Sequence, residues 1–313
     1  MNKFLQEVLE GLSATPKHLH AKYFYDESGD KIFQQIMASE EYYLTDCEME
    51  IFTQQTVEIA KALKNGFNSF DLVELGAGDA TKSSHLLKQL VKEGVDFNYF
   101  PIDISSNVIH HLEQELPKEI PGLNIKGFNG EYFEMLEKAN SFSSRRKVVL
   151  FLGANIGNMP ISEAEDFCKK LRANLTKTDL VLMGIDLKKN PKTIRAAYND
   201  KAGFTRDFNL NLLKRMNKTL EADFNLDAFE HYPMYDPLTG SCKSYLISLK
   251  EQTVRIGEAD FIKFEENEPV FMEISQKYSL QETNDLALKT GFAPVHHFLD
   301  EKSWFVDAVW ECH

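Results

Sequence analysis

Apolar residues recur at different spacings along this chain, and the changes of spacing divide it. Phe4, Leu5, Val8, Leu9 and Leu12 fall at helical intervals, and Pro16 ends that helix. Beyond an aromatic-rich stretch over 22–29, Ile32, Phe33, Ile36 and Met37 place a second helix over 30–37. Residues 40–44 read as an extended connection. Thr45 with Glu48 three residues on is a capping box, which predicts a helix from there to about Leu63.

From residue 70 short apolar runs alternate with amphipathic stretches. Strands are expected near 70–75, 98–103, 123–127, 147–152 and 179–185, with helices over about 81–93, 106–114, 131–139 and 162–174. Such alternation predicts a parallel sheet covered by helices, with ligand-binding loops at the carboxyl ends of its strands. After Asp186 the rhythm changes. Asn190-Pro191 opens a helix holding Ala196, Ala197 and Tyr198, and a second helix over about 206–219 carries Phe208, Leu212, Leu213 and Met216. Strands over 231–235, 242–250, 261–265 and 270–275 suggest an antiparallel meander. A last helix, about 280–290, and a hairpin of 292–298 with 304–311 close the chain. The expectation is an α/β fold: one Rossmann-like seven-stranded sheet, from 47–188 and 278–313, interrupted by a smaller α+β lobe from 1–46 and 189–277.

The stretch Asp71-Leu72-Val73-Glu74-Leu75-Gly76-Ala77-Gly78-Asp79-Ala80-Thr81-Lys82 is the first strand, turn and helix start of that sheet. Glycines 76 and 78 permit a sharp turn and bring a ligand close to backbone N–H groups. A dinucleotide site would place a third glycine at 81, where Thr81 stands, and would avoid the charge of Asp79. S-adenosylmethionine carries a sulfonium and no phosphate, so it tolerates acidic neighbours. A plain tight turn is the other reading.

Composition narrows the partners. The 313 residues carry 48 acidic against 35 basic side chains, a net charge of −13, and Ser144-Arg145-Arg146-Lys147 forms the one basic cluster. This argues against a nucleic-acid partner. Four widely spaced cysteines read as free thiols of a cytoplasmic protein, and nine histidines show no metal-ligand spacing, so no metal is expected. The start of the chain, Met1-Asn2-Lys3-Phe4-Leu5-Gln6-Glu7, lacks the long apolar region of a signal peptide, and no run approaches membrane-spanning length. A monomer is expected.

Candidate chemistry lies at the strand ends. Asp103 stands where a carboxylate would hold a ribose; an N-cap is the alternative, although Ser105 and Ser106 can serve there. Glu131-Tyr132-Phe133 can flank an adenine or be core. Gly153-Ala154-Asn155-Ile156-Gly157-Asn158 follows the fourth strand, its glycines admitting a ligand and Asn158 offering donor and acceptor. Glu273 and Ser275 share one face of a strand, lining a pocket or facing water. Tyr25, Phe33, Tyr42 and Tyr198, taken singly, are more often core than pocket.

Together, Tyr23-Phe24-Tyr25-Asp26 through Glu41-Tyr42-Tyr43, Glu74-Leu75-Gly76-Ala77-Gly78, Phe151-Leu152-Gly153 through Ile156-Gly157-Asn158, Ala196-Ala197-Tyr198-Asn199-Asp200, and Ala222-Asp223-Phe224 through Ala228-Phe229-Glu230-His231 carry a likeness over nearly the whole chain. In these segments it resembles the histidine-specific Nα-methyltransferases of ergothioneine biosynthesis. The resemblance implies S-adenosylmethionine as methyl donor and free L-histidine as acceptor, giving Nα,Nα,Nα-trimethylhistidine. It implies a methyltransferase domain plus a lobe that holds the amino acid. Gly76, Gly78, Lys82, Asp103, Glu131 and Tyr132 would contact the donor, with Glu131 standing where the family commonly has aspartate. Asn158 and Tyr198 would hold the substrate carboxylate. Tyr25, Phe33, Tyr42 and Gly153 would surround the amine, Tyr25 and carbonyls near Gly153 orienting its lone pair. Glu273 and Ser275 match the pair that recognises imidazole. Ser244 departs from the methionine usual beside the substrate ring, which enlarges and wets that wall. Another amino acid, such as a tryptophan-derived amine, or a donor-binding protein without turnover, are the other readings.

Overall fold

A computed structural model describes residues 3–313. Met1 and Asn2, part of the start expected to carry no leader, lie outside them. The helices are α1 (Lys3–Ser13), α2 (Glu27–Met37), α3 (Tyr43–Gln54), α4 (Thr56–Lys64), α5 (Ser83–Lys92), α6 (Ser106–Glu119), α7 (Tyr132–Phe142), α8 (Ile161–Ala173), α9 (Pro191–Ala197), α10 (Phe204–Thr219) and α11 (Leu280–Lys289). The strands are β1 (Ser69–Leu75), β2 (Asp96–Asp103), β3 (Asn124–Ile125), β4 (Phe128–Asn129), β5 (Lys147–Phe151), β6 (Leu180–Asp186), β7 (Phe229–Asp236), β8 (Ser241–Ser248), β9 (Gln252–Ile256), β10 (Asp260–Phe264), β11 (Pro269–Gln276), β12 (Phe292–Leu299) and β13 (Phe305–Cys312). The chain divides into two units: residues through Tyr43 with Lys189–Ser275, and Leu44–Lys188 with Gln276–His313. These divisions stand at 43/44, 188/189 and 275/276, against the expected 46/47, 188/189 and 277/278.

In the Leu44–Lys188 and Gln276–His313 unit, β5 and β6 are buried at every position and β1 at all but the first. Strands enclosed on both faces need continuous apolar runs, which is why they were legible as such. The sheet order is β12-β13-β6-β5-β1-β2-β3, with β4 also paired to β2. Its first strands are parallel, while β13 runs antiparallel to β6 and β12 antiparallel to β13. The order reverses between β1 and β5, so the crevice of this Rossmann-like sheet opens where the loops after Leu75 and Phe151 emerge.

Two details of this unit differ from the expectation. The third strand is split into β3 and β4, giving eight strands in place of seven. Gly127 causes the break: a Cβ there would lie 2.3 Å from Ile109 Cγ2, and its N–H turns to Glu113 Oε1 at 2.7 Å. The helix expected over 45–63 is two helices, interrupted at Gln55, whose backbone leaves helical geometry and whose side chain donates to Leu299 O. Its first helix starts ahead of Thr45, and Glu48 caps nothing; the carboxylate is buried.

The other unit gathers α1, α2, α10 and two small sheets around Phe4, Val8, Leu12, Phe24, Phe208, Leu212, Leu246, Phe264 and Met272. Asp26 caps α2 through Gly29 N–H at 2.8 Å, and the same oxygen accepts from Asn211 of α10. Asp200 starts α10 by accepting from the N–H groups of Phe204 and Thr205 at 2.7 and 2.8 Å. The expected meander is corrected: β9 and β10 form a separate hairpin, and β11 returns beside β8 in the order β11-β8-β7. Only Val254 and Ile256 of β9 are buried, too few alternations to announce a strand.

Candidate active site

The glycine loop after β1 has little to offer a phosphate. Gly76 and Ala77 donate their N–H groups to Ile102 O, Gly78 to Asp103 Oδ2 at 3.2 Å, Ala80 to Ala77 O, and Thr81 to Asp79 Oδ1. A pyrophosphate cradle needs such amides pointing at the ligand; here they knit the loop together, in keeping with a donor that carries no phosphate. The loop's surface still admits a ligand closely. Gly78 has φ +54° and nothing within 4 Å of a Cβ built on it, whereas at Gly76 (φ +74°) a Cβ would come 2.9 Å from Tyr132 Oη. Backbone with open space beside it, walled by a tyrosine and edged by a carboxylate, fits a nucleoside carrying a sulfonium.

Asp103, at the end of β2, accepts from Gly78 N–H and, through its other oxygen, from Ser105 N–H at 2.8 Å. Ser105 itself caps α6, so the carboxylate is aimed by two backbone donors and each oxygen keeps a lone pair for a ribose hydroxyl. Tyr132 opens α7 with its ring against Phe151 and Phe167; burial first, then the charges of Asp103 and Glu131, push its hydroxyl up to about 12. Glu131 is exposed at the N-cap of α7 without capping it by its side chain.

Lys82, at the entry to α5, is ion-paired with Glu48. Burial pulls its pKa down, but the Glu48 charge outweighs that and holds the ammonium above its ordinary value. Glu48 also takes the N–H of Gly153, its two oxygens at 2.8 and 3.0 Å, leaving Gly153 its carbonyl to present. Asn158, exposed at the end of a single 3₁₀ turn, donates to Asn155 at 3.4 Å.

In the other unit the aromatic candidates form a chain. Tyr25 meets Phe33 edge-on at 5.6 Å, Phe33 meets Tyr42 at 6.4 Å, and Tyr42 meets Tyr198 at 6.3 Å. Phe208 joins them, 5.5 Å from Tyr25 and 5.7 Å from Phe33. Tyr198 donates its hydroxyl hydrogen to Ser275 Oγ at 2.7 Å, so a substrate carboxylate would have to take that hydrogen over. Glu273 accepts from Asn209 Nδ2 at 3.2 Å; the same amide nitrogen donates to Thr205 O, and two acceptors fix the amide's orientation. Asn209 is fully buried and its Oδ1 has no partner among the described residues. Ser244 lies across from Pro233, on the β8 face that carries Leu246 into the core. It is 1 % exposed, and its hydroxyl has no partner among the described residues.

Sequence reasoning passed over Glu48, Asp307, Phe208 and Asn209. Each carried a signal. Glu48 falls in the buried stripe of α3 with Leu44, Cys47, Ile51 and Phe52, and Asp307 interrupts a buried strand; charges in such places are rare unless used. Asn209 sits one position from Phe208 and four from Leu213 on the buried face of α10. Among the described residues no His, Cys, Asp and Glu cluster could hold a metal, and no helix is long and apolar enough to cross a membrane.

A doubly wound sheet with a returning antiparallel pair, a phosphate-unfriendly glycine loop and an acid ending β2 defines a nucleoside-dependent methyltransferase fold. The model of a family described as histidine-specific, S-adenosylmethionine-dependent methyltransferases matches residues 4–312, and the chain belongs to that family. A histidine Nα-methyltransferase of Mycobacterium tuberculosis is 32% identical over 96% of this chain and 92% of its own length. The ergothioneine biosynthesis protein 1 of Neurospora crassa is 29% identical over 90% of this chain, which spans 32% of that protein. An L-tryptophan methyltransferase of Psilocybe serbica is 27% identical over 95% of this chain and 90% of its length.

Proposed function

We propose that this protein methylates the α-amine of free L-histidine, adding up to three methyl groups to give Nα,Nα,Nα-trimethylhistidine for ergothioneine synthesis. The observation that carries the choice of histidine is the pair Glu273 and Ser275, two residues apart on β11, the first engaged by Asn209 of α10 and the second by Tyr198 just past the end of α9. Neutral imidazole has one N–H and one bare nitrogen. A carboxylate accepts the first, and a serine whose oxygen already accepts from Tyr198 turns its own hydrogen toward the second. Indole has one N–H and no acceptor nitrogen, so tryptophan leaves a buried group unanswered at a cost of about 1–3 kcal/mol.

The Leu44–Lys188 and Gln276–His313 unit is assigned to the donor, with Asp103 on the ribose and Gly76, Gly78, Lys82, Glu131 and Tyr132 around it. Bound there, S-adenosylmethionine supplies an electrophilic methyl carbon. The other unit is assigned to the amino acid. Tyr25 accepts a hydrogen bond from the amine and directs its lone pair, while the faces of Tyr25, Phe33 and Tyr42 favour the cation that methylation creates. Gly153, through its carbonyl, and Asn158, in the donor unit, are assigned amine and carboxylate contacts, and Tyr198 a carboxylate contact. The four cysteines are buried free thiols, which supports a cytoplasmic enzyme, and we take it to act as a monomer. The test is transfer of label from the methyl donor. Histidine should be labelled, histamine should not, since it lacks the carboxylate. Labelling of neither would leave only a donor-binding protein.

A further inference from the structure

Two carboxyl groups meet in the interior of the doubly wound unit, away from water. Glu48 on α3 and Asp307 on β13 are both fully buried. They share Gly184 of β6 as a neighbour, which pairs with Asp307 across the sheet. A Cβ at 184 would stand 2.3 Å from Glu48 Oε1 and 3.2 Å from Asp307 Oδ1. A glycine inside a fully buried strand loses packing and backbone entropy, and here it makes the room that the two carboxyls occupy. Glu48 then does two things at once: it clamps the Gly153 N–H after β5 and pairs with the Lys82 ammonium that follows the glycine loop. Lys82 Nζ is thereby held 3.8 Å from where a Gly153 Cβ would be.

We infer that Glu48 is a positioning residue for the methyl donor, tying the loop after β1 to the loop after β5 through one carboxylate, with Asp307 as its neutral hydrogen-bond donor. This rests on the donor assignment made above for the same loops. One lysine cannot neutralise two buried carboxylates, so one must keep its proton. No N–H or O–H of another described residue reaches either oxygen of Asp307. Burial first, and then the Glu48 charge, raise its pKa well above the ordinary value. Protonated, Asp307 donates to Glu48 and leaves the negative charge where Lys82 and Gly153 need it. Glu48 holds Gly153 through its N–H and not through the carbonyl assigned to the amine, so its loss is felt chiefly on the donor side.

The experiment measures S-adenosylhomocysteine binding by calorimetry, and the Michaelis constant for histidine at saturating donor, in wild type, Glu48→Gln, Asp307→Asn and Gly184→Ala. Glu48→Gln keeps the shape and removes the charge; its dissociation constant should rise about 10- to 100-fold, with the histidine constant within about threefold. Asp307→Asn, whose amide donates as the acid does, should lose much less than Glu48→Gln. Gly184→Ala displaces the carboxylate without altering any charge and should weaken donor binding too; it carries the test if Glu48→Gln does not fold. Unchanged donor affinity in the folded Glu48 or Gly184 variants overturns the inference, as does an equal loss for histidine. Wild-type protein that binds no S-adenosylhomocysteine would instead overturn the donor assignment itself.

Discussion

Glu74, two residues before Gly76, should make this protein less stable as pH rises from about 4.5 to about 7. The side chain is buried at the end of β1, where Tyr99 donates to it at 2.5 Å. Burial outweighs that hydrogen bond and raises its pKa from 4.5 to about 7. The folded state therefore keeps a proton that the unfolded chain releases above 4.5. Stability from this group is complete below 4.5 and is lost progressively until the folded carboxyl ionises near 7. Each pH unit of that interval is worth about 1.4 kcal/mol, so the whole loss comes to about 3 kcal/mol. Glu74→Gln removes the titration while its amide oxygen still accepts from Tyr99. Urea unfolding of both proteins at pH 4, 5, 6, 7 and 8, read as the difference between them, cancels every other group, including Asp307. The difference should move by roughly 3 kcal/mol in favour of the variant between pH 4 and pH 8, mostly below pH 7. A difference that stays flat across that range would show that Glu74 titrates alike in the folded and unfolded states and that its burial has been misread.

Asp103 is aimed by Gly78 and Ser105, so Asp103→Ala should weaken S-adenosylhomocysteine about 10- to 150-fold, from a charge-assisted hydrogen bond of roughly 1.5–3 kcal/mol; calorimetry showing equal affinity would rule out a ribose contact. Ser244→Ala removes a buried, unpaired hydroxyl and should stabilise the protein by about 1 kcal/mol in urea unfolding; a loss instead would mean that hydroxyl has a partner, such as a bound water. Asn209→Leu strips Glu273 of its amide donor and should raise the histidine Michaelis constant about tenfold or more with donor affinity unchanged; equal constants would separate Asn209 from recognition.

Much of the sheet was legible because its strands are enclosed on both faces and so write themselves as apolar runs between glycine turns. The failures have local causes. Gly127 breaks a strand because a side chain from α6 fills its Cβ space, which no one-dimensional pattern records. Thr45 with Glu48 has the spacing of a capping box, yet the glutamate turns inward, because a backbone N–H 105 residues away and a lysine 34 away claim it. The strand after Lys250 has two buried apolar side chains, and β11 pairs with β8 across an intervening hairpin, a return that spacing cannot reveal. The candidate site was legible in its donor half through the glycine turn and the acid ending β2. Its acceptor half became readable only by resemblance, since an alternating Glu273 and Ser275 look the same on a water-facing strand. Asn209, which donates to Glu273, lies 64 residues away from it in sequence.

The central claim, that imidazole is read by Glu273 and Ser275, is tested most directly by competition. Wild-type protein with saturating S-adenosylmethionine would be given histidine, tryptophan, tyrosine and phenylalanine at equal concentration, and the products weighed by mass spectrometry for increments of one to three methyl groups. The account predicts that histidine takes nearly all the label and proceeds to the trimethylated form. It further predicts that Glu273→Ala erases most of the preference, as losing a half-buried carboxylate acceptor worth about 1–3 kcal/mol implies roughly 5- to 150-fold. A wild-type mixture in which tryptophan or another amino acid carries the methyl groups would contradict it.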